Sequence, residues 1–266
     1  MWGDSPIPPS PLAPQYSFSC KQNSVFISRG GRFLPAYTVI SMDYIRLLSE
    51  SFDYTKDALW GRWVRWLLLL VSVVIFPLIY GYGVRVMSGA KPAPELEGWI
   101  ELFIDGIKLL VITVVYTIPI WVLALIPFVA YFIPASATVG PATAGPEPLF
   151  APWIGIIIAL AFFVIFILAA IVVGILATFA MVRFSRTGRM GEAFRFGALL
   201  AHIRRIGWLD VFIALLVVAI VLTLVEFALI LVPLIGWFIF LLLTPAFIIF
   251  TYRYITLIYE SAPAPA

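Results

Sequence analysis

The sequence predicts an all-α integral membrane protein: four full transmembrane helices, a proline-broken first membrane segment that is either re-entrant or a fifth span, and amphipathic interfacial helices. Three observations carry this. Hydrophobic residues make up 63% of the chain and charged residues 12%, with a mean hydropathy of +1.07, whereas a soluble domain averages about 45–50% apolar and about 25% charged. No water-soluble fold of 266 residues could hide that much apolar surface. Apolar runs of bilayer length recur from Trp63 onward, and the arginines gather in the linkers between them.

Taken in order, residues 1–41 contain "SPIPPSPLAP", a stretch that can neither form a helix nor pack a core. They read as a disordered proline-rich tail, or as sequence upstream of a true start at Met42. No apolar run follows an N-terminal positive charge, so the stretch is not a secretory signal. Residues 43–61 form the first amphipathic interfacial segment, and 63–86 the first membrane segment. Only about ten apolar residues, Leu67–Phe76, precede Pro77, roughly half of what a bilayer needs. "PLIYGY" (77–82) also resembles "PLIGWF" (233–238), which reads as a tight turn. A kinked spanning helix is the alternative to re-entry.

Further on, 95–106 is a second interfacial segment, followed by transmembrane helices over 107–133 and 153–182. A third interfacial segment covers 187–206. The apolar run over 211–259 is too long for one helix and reads as a hairpin of 209–232 and 237–259, and 261–266 is a disordered end. Residues 42–260 thus form one helical membrane domain, built as an interfacial helix plus a membrane hairpin used three times. The 183–208 linker holds Arg183, Arg186, Arg189, Arg195, Arg204 and Arg205, while 134–152 and the 233–236 turn hold neither Lys nor Arg. The positive-inside rule then puts the arginine linker, 85–106 and the C-terminus in the cytoplasm of a multi-pass cell-membrane protein. A re-entrant first segment keeps Arg46, Lys56, Arg62 and Arg65 on that side too, so charge favours re-entry.

"GYGVRVM" (81–87), "ELFIDGIKLL" (101–110) and "GRMGEAFRFGALLAHIRRIGW" (188–208) resemble the motifs of an uncharacterised multi-pass membrane family of prokaryotes, often archaeal, known as domain of unknown function 4013. The likeness runs over about residues 55–260. It implies an integral membrane protein and brings no activity and no catalytic residues.

The chemistry-bearing residues are few. The single Cys20 rules out a disulfide framework, and with one histidine, His202, a zinc or iron cluster is not expected. Ser-His-Asp sets, GxSxG, HExxH and Walker loops are missing from the sequence. These gaps disfavour a membrane enzyme, which stays a third reading, and no catalytic residue, metal, cofactor or nucleic-acid partner is expected. His202 reads as a solvated histidine on a polar face. Thr113, Tyr116 and Thr117 are expected to bond their own backbone or a neighbouring helix, and the Ala170, Gly174, Thr178 stripe to pack helices.

Glu226, inside "LTLVEFALIL", is the intramembrane polar candidate, because an ionised carboxylate is expensive there. Thr244 is placed to offer it a hydroxyl across the hairpin. The six linker arginines are candidates for binding anionic lipid headgroups or a partner. Arg183, Arg186 and Arg189 are expected at lipid phosphates, and Arg195, Arg204 or Arg205 at the acidic face of 95–108. The functional expectation is a non-catalytic scaffold or accessory subunit, with a membrane-protein partner or a second copy. A proton-coupled permease using Glu226 is the alternative.

Overall fold

The computed structural model describes residues 42–137, 151–232 and 235–262. Among these, α1 spans Tyr44–Leu59, α2 Trp63–Val74, α3 Phe76–Met87, α4 Trp99–Ala137, α5 Ala151–Thr187, α6 Met190–Ala193, α7 Phe196–Ile206, α8 Trp208–Ile230 and α9 Ile235–Glu260. Expectations for 1–41, most of the 134–152 loop, Pro233 and 263–266 lie outside the described residues. No strand occurs among the described residues, as expected where every backbone polar group must be satisfied within its own segment.

Asp43 starts α1, its carboxylate accepting the Arg46 amide at 3.0 Å and so satisfying one open N–H of the first turn. The helix turns Leu47, Ser51, Thr55, Ala58 and Leu59 inward, a stripe at helical spacing, and packs on α9. The buried Ser51 and Thr55 hydroxyls donate to the carbonyls of Leu47 and Ser51, at 2.7 and 2.8 Å, which removes the penalty of burying them.

Residues 63–87 form a helical hairpin. α2 stops at Val74, the backbone breaks at Ile75 (φ −92, ψ 80), and Pro77 falls in the first turn of α3, where its missing N–H is harmless. Arg65, near the start of α2, and Arg85, near the end of α3, both reach Glu95. Arg65 Nη2 lies 3.3 Å from Glu95 Oε1, and Arg85 Nη1 lies 3.3 Å from the Glu95 carbonyl oxygen. In one straight helix those two arginines would stand about 30 Å apart. The segment goes out and comes back.

The resemblance between "PLIYGY" and "PLIGWF" nevertheless misplaced the turn. It precedes Pro77, and Gly81 of the first copy lies inside α3. It serves close approach. A Cβ on Gly81 would fall on the Leu102 carbonyl oxygen, and one on Gly106 of α4 would fall on the Pro77 carbonyl oxygen. Glycine inside a helix costs roughly 1 kcal/mol against alanine. Here it brings the backbones of α3 and α4 into contact.

α4 runs unbroken through the positions expected to divide an interfacial helix from a membrane helix. Leu102, Leu109, Ile112 and Tyr116 form one buried stripe along it, and Trp99, Ile100, Phe103 and Ile107 are exposed. The start of α4 therefore packs against α3, which gives it no reason to bend at residue 106. Tyr116 donates to the Ala193 carbonyl at 2.6 Å, and Thr113 and Thr117 donate to the carbonyls of Leu109 and Thr113.

α4, α5, α8 and α9 are long and apolar enough to cross a membrane, over Trp99–Pro127, Ile156–Thr187, Trp208–Ile230 and Ile235–Glu260. Large apolar side chains such as Trp121, Ile157, Phe163 and Phe238 stay exposed on them, which lipid as solvent makes costless. The chain is a multi-pass membrane protein.

The core lies toward one end of these helices. Leu109 and Ile112 of α4, Phe179 and Val182 of α5, Leu199 and Ile203 of α7, and Tyr254 of α9 belong to one buried cluster. A second cluster joins Leu59, Leu69, Ile79, Tyr82, Leu102 and Ile249. Gly207 takes φ +111 between α7 and α8, a left-handed conformation that suits glycine and lets the chain leave α7 and enter α8 directly.

The Ala170, Gly174, Thr178 stripe is a correction: a Cβ on Gly174 would meet open space, and Thr178 donates to the Gly174 carbonyl at 2.8 Å. The stripe does not pack helices within this chain. Small residues at this spacing allow a close approach but do not supply the neighbour.

Candidate functional site

Charged side chains concentrate where the core lies, and ion pairs tie the ends of the helices to one another there. Arg183 Nη2 lies 2.6 Å from Glu192 Oε2, and Arg195 Nη1 lies 2.9 Å from Glu192 Oε1. The hydrogen bonds from Arg183 and Arg195 hold the Glu192 carboxyl below its ordinary range. Arg186 pairs with Glu260 of α9, and its Nε donates to the Met87 carbonyl at 3.2 Å. α3, α5 and α9 thus meet around one guanidinium.

These pairs differ from those expected of the linker. Arg183 and Arg186, expected at lipid phosphates, are engaged inside the protein, and Arg195 pairs within its own linker. The acids of the α4 start pair locally as well: Glu101 lies 3.9 Å from Arg85, and Asp105 lies 2.8 Å from Lys108. A docked collar between 95–108 and 183–208 is not what forms. For Arg183, Arg195 and Lys108 a partner three or nine residues away costs less chain entropy to reach than one on another helix, while Arg85 and Arg186 take carboxylates that the fold brings within reach. Arg189, Arg204 and Arg205 remain exposed with no ion-pair partner among the described residues.

His202 is half-buried rather than freely solvated. Its Nε2 donates to the Tyr259 carbonyl at 2.9 Å, its ring stacks on Tyr259 at 4.0 Å between centroids, and Phe179 covers it at 5.8 Å. Burial pushes its pKa down, the Tyr259 contact opposes this, and Arg205 and Arg183 add to the depression. The helical-wheel reading failed because Tyr259 at the end of α9 reaches over the polar face of α7.

Glu226 is half-buried on α8 and makes no hydrogen bond or ion pair among the described residues. Thr244 does not serve it: the hydroxyl donates to the Phe240 carbonyl on its own helix at 2.9 Å, the usual recourse of a membrane threonine. The apolar groove nearby, about 570 Å³, is lined by Leu48, Phe52, Leu222, Val225, Leu243 and Phe247.

A group the sequence did not single out lies under α1. Arg253 of α9 is 1% exposed, and its Nε and Nη1 have no hydrogen-bond partner among the described residues. Its guanidinium carbon sits 4.9 Å from the centre of the Tyr54 ring, an attraction worth at most about 2 kcal/mol when desolvated. The Tyr82 hydroxyl is likewise buried without a partner. Arg65, 8% exposed, reaches the Ala58 and Ala93 carbonyls at 3.4 Å each. Tyr54 donates to the Ala90 carbonyl at 3.1 Å. Burial pushes its hydroxyl pKa up, while Arg253 and Arg65 pull the other way.

On the outer side of Tyr54 opens a cleft of about 470 Å³ whose lining includes Lys56, Asp57, Trp60, Arg62 and Lys91. The signal for Arg253 was present in the sequence. A charged residue inside an apolar run is a functional candidate by default.

No curated protein and no solved structure matches the chain. The model of one family, described as "Protein of unknown function (DUF4013)", matches residues 66–241. With more than half its length inside that match, and the helices it covers forming a multi-pass membrane bundle, the chain belongs to the DUF4013 family.

Proposed function

We propose that the protein is a non-catalytic membrane scaffold or accessory subunit in the cell membrane, with its arginine-bearing end in the cytoplasm. The observation that carries this is the division of labour among the linker arginines. Arg183, Arg186 and Arg195 are engaged within the protein and lock α3, α5, α6 and α9 together. Arg189, Arg204 and Arg205 stay exposed, with no ion-pair partner among the described residues. A rigid platform with spare cations suits anionic headgroups, each contact being worth about 1 kcal/mol. The orientation follows from the positive-inside rule. The exposed faces of α4 and α5 supply the surface for a membrane-protein partner or a second copy.

A permease is the second reading, favoured by Glu226 alone, an acid on an apolar helix with no partner among the described residues. Proteoliposomes loaded with a pH-sensitive dye and given a proton gradient separate the two. The scaffold reading expects the dye trace of protein-free liposomes. A proton flux that Glu226→Gln abolishes, with folding unchanged, replaces the scaffold by the permease.

A further inference from the structure

We propose that the cleft at the end of α1 is an anion site that takes a phosphate group, with Lys56, Arg62 and Lys91 as its ligands. These three cations line the cleft against one carboxylate, Asp57. All three are exposed, and none has an ion-pair partner among the described residues. Several other cations at this end, Arg65, Arg85, Arg183 and Arg186, find carboxylates within the protein. Three cations lining one cleft with a single carboxylate leave a net positive potential that favours an external anion.

A second, independent observation lies behind the wall. Arg253 is buried with two guanidinium nitrogens unpartnered, and the Tyr82 hydroxyl beneath α1 is unpartnered too. The ring of Tyr54 belongs to the lining of the cleft and also lies over the Arg253 guanidinium. A charge held in low dielectric without a counter-charge is costly, and its field is weakly screened. Arg253 therefore adds to the potential of the cleft through one aromatic ring. Occupation by an anion offsets part of the cost of keeping it buried.

The chemistry of the lining suits phosphate. Lysine ammoniums act as compact point charges, and an arginine fork matches two oxygens of one group. The donors come from three places in the chain: Lys56 on α1, Arg62 at the N-cap of α2 and Lys91 in the 88–98 loop. Trp60 and Trp63 beside the cleft are 74% and 66% exposed, and tryptophans in that state sit at the headgroup level of a bilayer. The source of the phosphate is accordingly an anionic phospholipid. This choice of source rests on the reading of that end as lipid-facing, but the anion site does not.

The test uses the full chain in nanodiscs. Native mass spectrometry should show dioleoyl phosphatidic acid retained at least tenfold over dioleoyl phosphatidylcholine. The triple variant Lys56→Gln, Arg62→Gln, Lys91→Gln should lose that preference while keeping the wild-type melting temperature in phosphatidylcholine. The variant Lys56→Arg, Lys91→Arg should retain it, which separates charge from packing. In a parallel arm, millimolar glycerol phosphate is added to phosphatidylcholine nanodiscs. A rise in melting temperature there that the triple variant lacks, without lipid preference, assigns the same site to a soluble phosphate compound. Equal lipid retention by wild type and triple variant, with no response to glycerol phosphate, overturns the proposal. A proton flux through the protein would leave it standing, so its failure and that of the scaffold reading are distinguishable.

Discussion

Gly106→Val should destabilise the protein by about 3 kcal/mol, the upper end of what overpacking costs. A Cβ at this position lands on the Pro77 carbonyl oxygen, a backbone atom at the hairpin tip that has no rotamer with which to move away. α3 and α4 must separate, and the buried Leu102, Leu109 and Tyr82 lose their neighbours on either side. Gly174→Val, on a helix face where the new side chain meets open space, should change stability by no more than about 0.5 kcal/mol. Unfolding in mild detergent, followed by the loss of helical signal with increasing denaturant, measures both. A Gly106→Val protein as stable as wild type would mean that α3 does not lie against α4 as described.

That contrast also marks how far the sequence could be read. Gly106 lies beside Asp105 and Lys108 and Gly174 in an apolar run, and neither setting says which glycine meets a neighbouring backbone. Gly81 and Gly106 are indispensable because a neighbouring backbone arrives there, and that neighbour is set by the hairpin fold. Fold class, the four long helices and the return of the first segment were legible, because run length, hydropathy and charge asymmetry are properties of single segments. The side of α4 that faces protein was less so. The sequence offers two apolar stripes, and which one meets α3 depends on the glycine contact.

Among site residues, Thr113, Tyr116 and Thr117 behave as their chemistry predicts, since a hydroxyl in lipid must find a carbonyl. The destinations of the linker arginines were not legible, because Glu192 and Glu260 competed with lipid and with the α4 acids at distances that only the fold defines.

Arg253→Met should stabilise the protein by about 1–3 kcal/mol in a neutral detergent free of anionic lipid. Desolvating a guanidinium costs several kcal/mol, and here two of its nitrogens recover nothing. The Tyr54 ring returns at most about 2 kcal/mol. Methionine is unbranched and adaptable enough to fill the space. The same variant should show a smaller gain in melting temperature than wild type when dioleoyl phosphatidic acid is added, because the charge that the anion offsets is gone. The two effects have opposite signs, which sets them apart from a general packing defect. Destabilisation of Arg253→Met in neutral detergent would mean that the buried guanidinium is compensated within the protein.

The central structural claim is that the chain between α1 and α4 enters the membrane layer and returns to the side from which it came. Sided labelling of single cysteines tests it most directly, in a Cys20→Ser background reconstituted in sealed vesicles. Asp57→Cys precedes the α2–α3 hairpin, Ser88→Cys follows it, and all three positions including Leu231→Cys, at the far end of α8, are exposed. A membrane-impermeant maleimide should modify the first two from the same side and Leu231→Cys from the opposite one. Modification of Asp57→Cys and Ser88→Cys from opposite sides would contradict the hairpin and turn α2 and α3 into a fifth crossing.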